Sequence, residues 1–551
     1  MSPKHDEHVA SELSRRKFLG SAAVLGAASL AAPAFARPRL QQSSADVKPF
    51  EFDEITVAEL QDGMKSGKFT AGSLAQKYLD RIAEIDKQGP AINAIIELNP
   101  DALSIADALD AERKNKGPRG PMHGIPVLIK DNIGTADRMM TTAGSLALAG
   151  FTPTKDSGVA RRLRESGAVI LGKTNLSEWA NFRSSHSSSG WSGRGGQTNN
   201  PYATDRNPCG SSSGSGAATS ANLCAVSVGT ETNGSIVCPS SLNGLVGIKP
   251  TVGLVSRAGI IPISHTQDTA GPMCRTVADA AILLSAMAGV DPADAATEAS
   301  RGKAAEDYTK FLNRDGLRGV RIGVLRKFFD SEKVDPLINA ALDVLKREGA
   351  TLIDPVELEG MDKLDGSEFQ VLLYEFKHDL NEYLAQYGSN APVHSLKDII
   401  DFNEAHRDKE MPYFGQDIML QAEKKGPLTE KAYLDALEKN HRITRQEGID
   451  AVMDKNHLDA LVAPGAGPAW LTDLVDGDHD TGGSSSPAAI AGYPNISVPA
   501  GFVFGLPVGI SFFGRAWSEP TLIKIAYGFE QATRFRTPPR FLRTVSLERQ
   551  S

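Results

Sequence analysis

Cysteine is scarce in this chain: Cys209, Cys224, Cys238 and Cys274 are the four thiols among 551 residues. Four in a chain of this length do not make a disulfide framework. Their spacings also lack the paired C-x2-C of a zinc site. They read as small buried residues, with one bridge left open should the protein leave the reducing cytoplasm. Basic charge is in deficit too, since 59 Lys and Arg against 67 Asp and Glu leave a net charge of −8. Phosphate binding wants a basic face, so nucleic acid is not expected as a partner. No H-E-x-x-H occurs, and neither a metal nor a cofactor is expected. Beyond residue 36 there is no uninterrupted apolar run of about 18 residues, the length needed to span a bilayer.

The N-terminus carries an export address. Ser14-Arg15-Arg16-Lys17-Phe18-Leu19 has the twin-arginine form, and the Ala/Gly-rich run after it ends in the small-x-small site Ala34-Phe35-Ala36. Residues 1–36 are therefore expected to be a signal peptide cut after Ala36 and handled by the twin-arginine (Tat) export machinery. The mature protein is then periplasmic or secreted, with no stable membrane association. Residues 37–50 read as a linker and 51–541 as one catalytic domain.

Along that domain, helical and strand-like patterns alternate. Thr56 and Thr70 are plausible N-caps, and Leu74, Tyr78, Ile82 and Ile85 recur at helical spacing until Gly89-Pro90. Further helices are expected over about 101–113, 158–166, 277–287, 336–348 and 521–533. Short apolar runs at Gly124–Lys130, Val169–Lys173, Ala225–Val228, Val320–Leu325, Asp459–Val462, Asn495–Val498 and Val508–Phe513 read as buried strands. The alternation predicts an α/β fold: a single large domain with a central mixed β-sheet covered by helices on both faces. Residues 361–454, more polar and longer-helical, are expected to be an insertion over the sheet.

One block stands apart. Residues 184–251 contain Gly190-Trp191-Ser192-Gly193, Cys209-Gly210-Ser211-Ser212-Ser213-Gly214-Ser215-Gly216 and Gly229-Thr230-Glu231-Thr232-Asn233-Gly234-Ser235-Ile236. A flexible linker would not interleave such glycines with an apolar strand and a small-residue helix at 217–223. Dense glycine beside regular elements instead suggests backbone approaching a ligand, with N–H groups free to face an oxyanion. Gly210-Ser211-Ser212-Ser213-Gly214 also fits G-x-S-x-G, the nucleophile elbow of another hydrolase class. That motif needs a strand immediately before it, and Arg206-Asn207-Pro208-Cys209 is not one.

Lys130 at the end of an apolar strand, the Gly210–Gly216 loop, and Gly229-Thr230-x-x-x-Gly234-Ser235-Ile236 together resemble the amidase-signature hydrolases. Pro239, Gly244 and Gly247-x-Lys249-Pro250-Thr251 extend the likeness. Within that family the resemblance is to bacterial peptide amidases, carried by Gly172–Phe182, Gly190-Trp191-Ser192, Cys209–Gly216 and Thr266–Pro272. The chain departs from the general family at Cys209 and Ser213, where glycine is usual, and from the peptide amidases at Asn233, where aspartate stands.

The resemblance implies amide hydrolysis through an acyl-enzyme, the substrate being the C-terminal carboxamide of peptides and the product ammonia. It implies a Ser-Ser-Lys triad: Ser235 the nucleophile, Ser211 the bridging serine on a cis peptide bond, and Lys130 the base. Backbone N–H groups of Thr232, Asn233, Gly234 and Ser235 would form the oxyanion hole. Ser212 would support the network, and Ala180 and Trp191 would line the substrate cleft; for Trp191, as for Trp179, packing in the core is an equal alternative. Aryl, fatty-acyl or small aliphatic amides or esters are the alternative substrates, tRNA-linked glutamine amidation fits the export signal poorly, and an inactive peptide-binding descendant is the reading from another class. To serve as a base near neutral pH, Lys130 needs its pKa lowered by roughly three units, about 4 kcal/mol, which burial could supply. Asp131 should point away from it across the strand.

Overall fold

The structure is a computed structural model, and it describes residues 47–364, 366–480 and 482–545. The expected signal peptide and most of the linker lie outside the described residues. Eleven strands form one sheet: β1 (Ile95–Leu98), β2 (Pro126–Lys130), β3 (Val169–Thr174), β4 (Val226–Glu231), β5 (Val246–Lys249), β6 (Thr269–Cys274), β7 (Arg321–Val324), β8 (Thr351–Ile353), β9 (Ala460–Pro464), β10 (Asn495–Val503) and β11 (Leu506–Phe513). Their spatial order is β1-β3-β2-β4-β6-β5-β10-β11-β9-β7-β8.

The sheet is mixed, as expected. β2 runs parallel to both β3 and β4, β6 lies antiparallel between β4 and β5, and β9, β7 and β8 form a second parallel group. β2, β3 and β4 are buried along their whole length, which is why they read as continuous apolar runs rather than as alternations.

Helices pack on this sheet. Val57–Lys65 and Ala71–Ile85 begin at Thr56 and Thr70, each hydroxyl accepting the N3 backbone N–H in a reciprocal capping box. Val277–Met287 has the expected bounds, and Asp335–Arg347 and Glu519–Thr533 differ from expectation by a residue or two. The small-residue helix lies at Ser213–Ser220, starting closer to Ser211 than expected.

Four strands were not expected: β1, β5, β6 and β8. β6 is the instructive one, because Thr269-Ala270-Gly271-Pro272 has the composition of a loop. Gly271 is required there by a close approach: a Cβ would sit 2.0 Å from the Ile248 carbonyl oxygen.

Residues 361–456 are largely helical. Leu372, Phe376, Leu380 and Leu384 of the helix Ser367–Ala385 join Leu396, Ile399 and Met419 in a core that also holds Phe151, Trp179, Phe182 and Ile261. This helix thereby becomes one wall of the cleft above the carboxyl ends of β2 and β4. Among the described residues no helix is long and apolar enough to cross a membrane.

Candidate active site

In open α/β sheets the carboxyl ends of parallel strands carry the ligand site, and the predicted residues gather there. Lys130 ends β2, and Thr230 and Glu231 end the parallel neighbour β4. Lys130 is fully buried. Its Nζ lies 2.7 Å from Ser211 Oγ, 2.9 Å from Thr230 Oγ1 and 3.3 Å from the Thr230 carbonyl oxygen. A neutral amine has two N–H donors and one lone pair, and this shell suits it: both Thr230 oxygens accept, and the lone pair is left for the Ser211 hydroxyl. Burial lowers the Lys130 pKa from 10.5 to about 7, against the opposing pull of the Asp268 and Glu231 carboxylates. Asp131 does not offset this. Its carboxylate faces away, accepting from Thr142 Oγ1 and from the Gly144 N–H at 3.2 Å, with Arg194 beyond.

Ser211 is also fully buried. The Gly210–Ser211 peptide is cis, and a Cβ at Gly210 would meet Ser177 Oγ at 2.2 Å. Ser177 N–H donates to the Ser211 carbonyl at 3.1 Å. Ser212 secures the loop to β4, its hydroxyl donating to the Thr230 carbonyl at 2.9 Å and accepting the Thr230 N–H at 3.1 Å. No strand precedes this segment, as the nucleophile-elbow pattern would have required.

Ser235 follows Gly234, which adopts φ 83°, a left-handed conformation that favours glycine. Ser235 is partly exposed, in contrast to Lys130 and Ser211. Its backbone carbonyl accepts the Ser212 N–H at 3.2 Å, so the two serine loops are tied together. Glu231 braces the turn: its carboxylate accepts the N–H groups of Gly234 at 2.9 Å, Ile236 at 2.8 Å and Val237 at 3.0 Å. This corrects one sequence expectation. The Gly234 N–H is already engaged by Glu231, so it is not a free oxyanion donor. The N–H groups of Asn233 and Ser235 have no recorded acceptor among the described residues. Thr232 Oγ1 donates to Asp268 at 2.6 Å, and burial pushes the Asp268 carboxyl up to about 6.

The cysteines are also corrected in part. Cys224 and Cys274 are free and buried, but Cys209 and Cys238 are joined in a disulfide. Neither spacing nor composition signals which pair would meet, because the proximity is produced by the loops of Ser211 and Ser235 folding against each other.

Ser235 opens on a cavity of about 510 Å³, whose walls include Ala180, Phe182, Asn233, Leu372, Trp470 and Ser485. A second cavity of about 390 Å³ lies beside Thr230 and Asp268, and Ala180, Thr232 and Ile263 line both. Asn233 is held by Glu368 at 2.7 Å and Ser486 at 3.1 Å. Trp191 does not reach either cavity. It is buried, edge-on to Phe414 with centroids 5.2 Å apart, under the guanidinium of Arg183. Arg183 in turn pairs with buried Glu178 at 2.6 Å. Trp179 is likewise a core residue. Sequence reasoning missed Thr230, Glu231 and Asp268 as site residues. The signal for Glu231 was a carboxylate placed just before a Gly-Ser turn whose N–H groups need acceptors.

Among the described residues, His265, Glu375 and Asp379 form the group whose atoms gather closely enough for a metal. Both imidazole nitrogens face carboxylates, Nδ1 2.9 Å from Asp379 and Nε2 3.5 Å from Glu375. Glu375 also accepts from Ser264, Thr266 and Tyr433. That arrangement suits an imidazolium ion pair between a loop and the covering helix.

Comparison with known proteins places the chain and its fold in a family. The profile of the Amidase family matches residues 73–523. A probable amidase of Arabidopsis thaliana is 45% identical over 502 residues, covering 90% of this chain and 93% of that protein. A glutamyl-tRNA(Gln) amidotransferase subunit from Halorhodospira halophila is 34% identical over 489 residues, covering 87% and 97%. Among solved structures, the native peptide amidase from Stenotrophomonas maltophilia is 53% identical with a TM-score of 0.86, covering 90% of this chain and 100% of that one. With a matching profile over most of its length and a relative of this identity, the chain belongs to the amidase family, and it is an amide hydrolase.

Proposed function

We propose that the protein removes the C-terminal carboxamide of peptides, releasing ammonia, through an acyl-enzyme on Ser235. The observation that carries this reading is the graded burial of three groups in a row: a fully buried Lys130 amine 2.7 Å from a fully buried Ser211 hydroxyl, beside a partly exposed Ser235 at the cleft.

An amide resists attack, so a serine hydroxyl must lose its proton as it attacks. Neutral Lys130 takes a proton from Ser211, which takes one from Ser235, and the Ser235 oxygen bonds to the substrate carbonyl carbon. The oxygen of the tetrahedral intermediate is met by backbone N–H groups at Thr232, Asn233 and Ser235. The relay then runs in reverse, delivering the proton to the departing nitrogen, and water repeats the sequence on the acyl-enzyme. In the free protein Ser235 Oγ has no recorded hydrogen bond among the described residues. The Ser235–Ser211 contact therefore tightens when substrate fills the cleft, as catalytic hydrogen bonds commonly do.

Two observations favour a peptide amide over other amides. The similarity is 53% to structures of peptide amidases, including one in complex with the competitive inhibitor chymostatin, against 34% to the tRNA-dependent amidotransferase. In addition, the charged side chains lining the larger cavity, Asp478 and Asp480, are acidic. A chain ending in a neutral carboxamide sits beside them without the repulsion that a free carboxylate would meet. The twin-arginine motif supports export, which would place the reaction in the periplasm or outside the cell; the Cys209–Cys238 disulfide suits such a compartment.

An ammonia-release assay across peptide amides, aryl amides and fatty amides tests the substrate. Peptide amides should give the highest kcat/KM; inert peptide amides beside a good aryl amide would replace this substrate with the alternative. Ser235→Ala should lower kcat by at least about a thousandfold with an unchanged circular dichroism spectrum, whereas near-full activity would refute the nucleophile. The pH profile follows from the base. Because the Lys130 pKa is lowered to about 7, the neutral amine predominates above that pH. Activity should therefore plateau above pH 7 and fall about tenfold per unit below it; a rise continuing to pH 10 would contradict the assignment.

A further inference from the structure

The disulfide lies where a covalent link would matter for the chemistry. Cys209 stands two residues before Ser211, and Cys238 three residues after Ser235, so the bond joins the segments that carry the two serines. Both cysteines line the same cavity as Ser235. Cys209 is buried while Cys238 is partly exposed, so a small reductant can reach the bond from the cleft.

A second observation is independent of the bond. Cys209 adopts φ 61°, the left-handed region in which a side chain is unfavourable and glycine is not. A side chain kept at such a position needs a compensating interaction. Here the side chain is anchored by the sulfur link and by packing in an apolar cluster with Leu242, Ala466 and Trp470.

The remaining ties between the two segments are hydrogen bonds. Ser212 N–H donates to the Ser235 carbonyl at 3.2 Å, and Asn243 Nδ2 donates to the Pro208 carbonyl at 2.9 Å. The first holds the inner ends of the two loops, next to Lys130. At the outer ends, next to the cavity, the disulfide is the covalent tie beside the Asn243–Pro208 hydrogen bond.

We propose that the Cys209–Cys238 disulfide is a positioning element for the reaction: it fixes the distance between Ser211 and Ser235, so that cutting it lowers turnover while leaving the substrate cleft able to bind. This rests on the Ser235–Ser211–Lys130 reading given above. Misplacement of reacting groups by about 1 Å is enough to reduce a rate by about a hundredfold, and that loss falls on kcat because the cavity residues Ala180, Phe182 and Leu372 belong to a packed cluster separate from the two cysteines.

The test compares wild type with the Cys209→Gly/Cys238→Ala double variant, which removes the bond and relieves the left-handed side chain together. Each is assayed with a peptide amide before and after treatment with a trialkylphosphine. The phosphine converts the disulfide to two thiols, two protons coming from water, and is itself oxidised to the phosphine oxide. Thiol titration should rise from two to four per wild-type chain, counting Cys224 and Cys274. The expected result is a loss of about ten- to a hundredfold in kcat, with KM within about twofold, for reduced wild type and for the double variant alike. Phosphine should have no further effect on the variant.

Unchanged kcat at four titrated thiols would overturn the proposal. So would loss of the folded circular dichroism spectrum on reduction, since the bond would then hold the fold rather than the serine pair. If the double variant does not fold, the reduced wild type decides by the same two criteria. A parallel Ser235→Ala sample separates the two levels of inference. Activity surviving in that sample refutes the triad itself, whereas an inactive Ser235→Ala beside a reduction-insensitive wild type refutes only the role of the disulfide.

Discussion

The arrangement depends on one amine held out of water. Lys130 sits at the end of a strand flanked on both sides by parallel neighbours, and its three contacts are oxygens of Ser211 and Thr230. Desolvation disfavours the ammonium form, which lowers the pKa to about 7. The sign for stability follows. A lysine depressed in the folded state binds fewer protons there than in the unfolded chain between pH 7 and 10.5, so burial of this group weakens the fold near neutrality and less so as pH rises through that window. The difference amounts to about 4 kcal/mol at pH 7. A single wide sheet and its helices offset it.

Two other lysines show what distinguishes Lys130. Lys173 and Lys249 are equally buried and have pKa values lowered to about 8. Lys173 donates to the Ile133 carbonyl and to Thr141, and Lys249 to the carbonyls of Ala488 and Tyr493. Among the described residues neither has a serine hydroxyl within hydrogen-bond reach. They hold backbone together, while Lys130 faces the hydroxyl of Ser211. Burial makes a neutral amine available; the neighbour decides whether it can do chemistry.

Around that amine the site is assembled from short-range devices. β4 delivers Thr230 to Lys130 and Glu231 to the turn of Ser235. Ser212 reaches back from the other loop to the same Thr230. The same few residues thus hold the Lys130 amine and shape the turn of Ser235. Much of this was legible in the sequence. β2 and β3 were visible because buried parallel strands are continuous apolar runs, and the helix starts at Thr56 and Thr70 because capping chemistry is local. The positions of Lys130, Ser211 and Ser235 were visible through motifs. What was hidden depended on distance in space. β6 carries Gly271 and Pro272 and reads as a loop, yet it lies in the middle of the sheet because of a close approach to Ile248. Trp191, set among glycines, could equally have lined a cleft or packed in a core, and only the position of Arg183 and Phe414 decides. The Gly234 N–H looked free until Glu231 was seen to accept it, and the pairing of Cys209 with Cys238 follows from the loops meeting, which their separation of 29 residues does not reveal.

The proposed chemistry turns on the protonation state of Lys130, and this can be observed directly. Protein labelled with carbon-13 at the lysine ε-carbon would be titrated by NMR, with the Lys130 resonance identified by its loss in Lys130→Met. A midpoint near pH 7, below those of Lys173 and Lys249, is the predicted result. A Lys130 resonance that stays in the ammonium position up to pH 9 or beyond would contradict the account, because a charged amine has no lone pair with which to take the proton from Ser211.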